Sequence, residues 1–117
     1  MKVINTIFVS ILLTSYANAA FTGTELQQLH QINGEYIKKA EASKTLLEKK
    51  IQETIENIPE QKSKIVDLKK SWNDMIEKKC RLFIFESINT DAEIAMENKC
   101  LANEYFSAAE FFERLNY

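Results

Sequence analysis

The stretch SWNDMIEKKCRLF, residues 71–83, decides the fold, because it carries the only tryptophan and one of the only two cysteines on a segment rich in helix-forming residues. Its apolar positions fall at helical spacing. Ile65, Leu68, Trp72, Ile76 and Phe83 share one face of a helix expected over residues 60–87, with 3.6 residues to each turn. Eight residues at about 100° each set Cys80 some 80° around from Trp72, which predicts the tryptophan at the core centre and the thiol on its flank. Lys79 lies in line with Ile65 and Trp72 and is expected to snorkel, its stem covering apolar surface.

Working outward, the same pattern recurs on both sides. Leu26, Leu29, Tyr36, Ala40, Leu47, Ile51 and Ile58 predict a helix over 25–57, interrupted by Asn33 and Ser43, and Ile94, Leu101, Tyr105, Ala108, Phe112 and Leu115 predict another over 91–115. Thr24 with Gln27, and Thr90 with Glu93, fit capping boxes, while Asn57-Ile58-Pro59 breaks the first helix from the second. The fold class expected is all-α, a small antiparallel bundle of about three helices.

Two of the chain's features point outside the cytosol. Residues 1–19 have a basic start at Lys2, an apolar run from Val3 to Leu13 and the small-residue triplet Ala17-Asn18-Ala19, the layout of a signal peptide cleaved after Ala19 or Ala20. The apolar run is about half of the ~20 residues a membrane span needs, so no stable span is expected after cleavage. Cys80 and Cys100 then read as one disulfide, since an exported chain meets oxidising conditions, and the expected location is periplasmic or secreted.

Removal of residues 1–19 leaves 98 of the 117 residues, one domain over 20–117 with 14 basic and 17 acidic side chains. That balance argues against nucleic acid as a partner and favours a cationic one. Residues 60–86 hold seven basic and five acidic side chains, whereas residues 90–117 hold two and six. Asp91, Glu93 and Glu97 therefore become candidate partner-binding residues, set against the plainer reading that the second and third helices compensate one another's charge.

Catalytic chemistry finds little to work with. His30 is the only histidine, too few for a zinc ligand set, and no C-x-x-C motif or phosphate-cradling glycine loop is present, so neither metal, cofactor nor enzymatic activity is expected. Glu53 and Glu56 read as a solvated helix face. Gly34, inside the first helix, costs about 1 kcal/mol against alanine and is expected to permit close helix approach. Phe106, Phe111 and the terminal Tyr117 lie off the stripe of the third helix and either widen the core contact or form an exposed aromatic patch.

Trp72 with Cys80, then Cys100, preceded by Ile32-Asn33 and Tyr36 in the first helix and by Ile65 in the second, resembles the LprI-type lysozyme-inhibitor N-terminal domain family. The resemblance spans most of the chain after residue 19. Lys69, Ile76, Glu77 and Ala108 depart from the family's usual residues around the tryptophan and after the last cysteine. What the resemblance implies is an envelope-located helical protein that acts by non-covalent binding, in some members to a lysozyme, with Asn33, Tyr36 and Trp72 in structural roles. A structural or assembly role in the envelope is the other function the sequence allows.

Overall fold

The computed structural model describes the backbone of residues 2–116 and the side chains of residues 23–116. Helix α1 spans Lys2–Asn57, α2 Lys62–Phe83 and α3 Glu93–Leu115, with 3-10 turns at Pro59–Gln61 and Phe85–Ser87 and no strand among the described residues. The expected leader, residues 1–19, lies outside the residues whose side chains are described, as does Tyr117. No helix among the described residues is long and apolar enough to cross a membrane.

The chain divides into two compact units, residues 1–32 and residues 33–117. Within the first, Leu26 and Ile32 are exposed and His30 lies in solvent. Thr24 does not begin a helix, contrary to the expected capping box. Helix α1 runs through it, since no proline precedes it and Gly23 alone costs too little to end a helix.

Residues 33–117 hold the core. Asn33, Ala40, Leu47 and Thr54 recur every seven residues along α1 and are buried, with Ile51 beside them. From α2 come Ile65, Ile76 and Cys80, and from α3 come Tyr105, Ala108, Ala109 and Phe112. Phe112, Ile76 and Ile84 are essentially without exposure, each contributing about 1.5–3 kcal/mol relative to an exposed side chain. Proline at position 59 stops α1 and opens the turn into α2, where Gln61 donates its N–H to the Ile58 carbonyl over 2.9 Å.

The turn from α2 to α3 corrects two expected boundaries. Helix α2 ends at Phe83 rather than 87, and α3 begins at Glu93 rather than 91, because Asn89 takes a positive φ of 66°, a left-handed geometry that asparagine tolerates. The second capping box is displaced accordingly. The Glu93 carboxylate accepts the Asn89 N–H at 3.2 Å, and Thr90 Oγ1 donates to the Ser87 carbonyl at 2.6 Å while accepting from Ala92 N–H at 3.3 Å.

At the other end, Asn116 ties α3 to α1. Its amide nitrogen donates to Thr54 Oγ1 at 3.2 Å and to the Phe112 carbonyl at 3.0 Å, and its oxygen accepts from Asn57 Nδ2 at 2.8 Å. Thr54 Oγ1 in turn donates to the Lys50 carbonyl at 2.7 Å, so this buried hydroxyl is used both ways. The C-terminal ends of α1 and α3 therefore lie side by side. Lys50 adds an ion pair to Glu113 at 2.7 Å.

Gly34 differs from its expected role: a Cβ added there meets nothing within 4 Å, so no close approach depends on it. Gly34→Ala is expected to raise stability by about 0.5–1 kcal/mol through helix propensity and lowered unfolded-state entropy, read as a higher urea midpoint. Reducing the Cys80–Cys100 bridge, whose sulfurs close a separation of 20 residues, is expected to remove about 3 kcal/mol. Urea unfolding with and without reductant checks that figure, and coincident midpoints would contradict it.

Candidate functional site

The α2–α3 hairpin is held by contacts whose residue numbers fall on one helix as they rise on the other, the mark of antiparallel packing. Trp72 meets Phe111 at 5.2 Å between ring centroids, Lys79 pairs with Glu104 at 2.8 Å, and Cys80 is bonded to Cys100 with Cα atoms 5.6 Å apart. Arg81 continues the series, its guanidinium donating to Glu93 at 3.2 Å and Glu97 at 3.1 Å. Those two carboxylates sit one turn apart on α3, at the spacing that lets a single fork reach both. The hydrogen bond to Glu93, with the charge of Glu97 next, pushes the Arg81 pKa up, so it stays cationic.

The expected places of the tryptophan and the thiol are exchanged. Cys80 has no exposure, whereas Trp72 is half-buried at the edge of the core, its ring tilted against Phe111 and Phe112. The physical cause is the partner: a disulfide pulls α3 toward the Cys80 face of α2, so the core follows Ile76, Cys80 and Ile84. Phe83, expected inside, is 68% exposed for the same reason, and Leu68, Ile94 and Leu115 also lie at the surface. Lys79 is an exposed ion-pair partner rather than a core stem.

The two aromatic residues set aside earlier separate. Phe111 widens the core contact, standing edge-on to Phe112 at 5.3 Å, and Phe106 is exposed. Asn33 is buried, its Oδ1 without a hydrogen-bond partner among the described residues, and Tyr36 is half-buried with the Lys39 ammonium 5.2 Å from its ring centroid. Neither is fully solvated.

Of the three candidate partner-binding residues, Glu93 and Glu97 are bound to Arg81, with side chains 26% and 28% exposed, and Asp91 is exposed in the turn. Glu104 and Glu113 are likewise paired, with Lys79 and Lys50. Four of the six carboxylates between residues 90 and 117 therefore have a cation against them, and the third helix presents far less free negative charge than its sequence implies. Glu53 pairs with Lys50 and Glu56 accepts from Gln52, so the two do not converge as an acid–base dyad. Among the described residues no group of His, Cys, Asp or Glu is placed to hold a metal ion.

The hairpin also exposes apolar side chains. Leu82 is 73% exposed and Phe85 63%, with Phe83 between them, and Leu68, Met75 and Leu82 make an exposed line at seven-residue spacing along α2. Beside it, α2 and α3 enclose a groove of ≈ 410 Å³. Lys79 and Phe83 line it from α2, and Met96, Lys99, Cys100, Asn103 and Glu104 from α3. Met96 is held by its neighbour, the Ser87 hydroxyl donating to the thioether sulfur at 3.2 Å.

No family model matches the chain, and no curated protein or solved structure matches it either.

Tyr105, buried between the helices, is an acid–base group whose neutral form the fold protects. Burial pushes its phenol above the usual 10.0, and the charges of Glu77 and Glu48 push the same way. A folded pKa above the unfolded one means stability is fully present below pH 10.0 and declines as pH rises from there through the folded value. Lys50, raised by its bonds to Glu113 and Glu53, acts in the same direction. Tyr105→Phe is expected to make the loss of stability above pH 10 shallower in pH-stepped denaturation, and an unchanged slope would count against the assignment.

Proposed function

We propose that the chain is an exported, non-catalytic binding protein that presents the stapled α2–α3 hairpin to a protein partner, with inhibition of a lysozyme as the activity its sequence resemblance suggests. The observation that carries the reading is the cluster of Leu82, Phe83 and Phe85, each more than 60% exposed, on a hairpin fixed by a disulfide. Such a surface is pre-organised. Little ordering entropy is lost when a partner covers it, which is how a small rigid epitope gains affinity.

Export is supported by the leader-like residues 1–19 together with the Cys80–Cys100 bridge, which persists in an oxidising compartment. Charge guides the encounter only weakly in this reading, because Arg81 already compensates Glu93 and Glu97 and leaves Asp91 as the free carboxylate of the candidate set. A second reading, an assembly role in the cell envelope, is favoured by the exposed line of Leu68, Met75 and Leu82, which a helix of another protein could cover.

Lysozyme turnover of bacterial cell walls, followed with increasing oxidised chain, separates the two. Inhibition is expected, and Leu82→Ser with Phe85→Ser is expected to weaken it at least tenfold while leaving the helical content unchanged. Full turnover at every concentration, with larger complexes seen by size exclusion, would transfer the proposal to the assembly role.

A further inference from the structure

The geometry points to the groove between α2 and α3 as a binding site for a single-chain anionic amphiphile, a fatty-acid-like carboxylate. This goes beyond the protein-binding role and does not depend on it. The groove, at ≈ 410 Å³, falls within the roughly 300–1,000 Å³ typical of small-ligand sites. Phe83, Met96 and Cys100 line it together with Lys79 and Lys99, whose long aliphatic stems suit apolar contact, so an alkyl chain meets apolar residues from both helices. The bridge fixes α2 against α3, and the Ser87–Met96 contact positions Met96 on its side of the groove.

The sign of the head group follows from charge accounting. Lys79 and Glu104 neutralise one another across 2.8 Å, which leaves Lys99 as the lining charge with no ion pair among the described residues. Asn103 lies one turn further along α3 on the same side, with amide N–H groups that make no hydrogen bond among the described residues. An ammonium beside an amide donor suits a carboxylate and repels an organic cation. Met96 to Asn103 spans only seven residues, roughly 10 Å of helix, which seats an alkyl chain more readily than the length of a partner helix.

Calorimetric titration of the oxidised full chain with dodecanoate below its micelle concentration, together with amide chemical-shift mapping, tests the site. One saturable site is expected, with shifts centred on Met96, Lys99 and Asn103. Octanoate is expected to bind more weakly, by up to roughly fourfold for each methylene removed. Lys99→Glu is expected to weaken dodecanoate about tenfold, and Lys99→Arg to retain it. Lys99 is exposed, so neither change threatens the fold. Absence of saturable binding overturns the site, as do equal binding of dodecyltrimethylammonium, indifference to Lys99→Glu, or shifts confined to residues outside the groove.

Discussion

The Cys80–Cys100 bridge is the constraint on which the hairpin depends. A side chain with no exposure cannot move to the flank of an interface, so once Cys80 is bonded to α3 the whole of α2 is rotated with Ile76 and Ile84 inward. Two consequences follow from one rotation. Trp72 is left at the margin, where its large ring packs tilted against Phe111 and Phe112 instead of filling the centre, and Phe83 and Leu82 are turned out to solvent. The exposed apolar surface is therefore a product of the staple, because the covalent bond stabilises an arrangement that hydrophobic burial alone would oppose.

Electrostatics then works within that frame. The pairs Arg81 with Glu93 and Glu97, and Lys79 with Glu104, bracket the disulfide on its two sides, so three of the α3 carboxylates are compensated by cations of α2. Exposed pairs of this kind contribute little stability each. Their greater effect is to cancel locally, beside the disulfide, the field that separated charge would project. At the far end the polar lock of Thr54, Asn57 and Asn116 fixes α1 against α3, so register is set by a covalent bond near one end of α3 and hydrogen bonds at the other.

Much of the fold was legible in the residues. Three helical segments, the break at Pro59, the disulfide and the buried line through Leu47, Ile51, Ile76, Tyr105 and Phe112 all follow from spacing and composition. What spacing could not supply is the rotation of a helix whose apolar stripe is wider than its contact. Ile84 lies four residues beyond Cys80 and eight beyond Ile76, so its burial was open to anyone weighting the cysteine as core, whereas weighting the tryptophan selects Phe83. Thr54 was hidden by its polarity although it continues the Ala40 and Leu47 repeat one heptad on: its hydroxyl donates locally to the Lys50 carbonyl, and its second partner comes only when Asn116 folds back to it.

The candidate surface was less legible for a related reason. Acidic residues can be counted in a sequence, but a count does not say which of them a neighbouring helix has already neutralised, and here Arg81 reaches across the hairpin to take two at once. The groove is still less visible, since its lining alternates between two helices and mixes lysines with Phe83 and Met96. Each of those side chains looks like ordinary helix surface on its own. Only the bridge places them opposite one another, and the same bond that turned Phe83 away from the core made it one wall of a cleft.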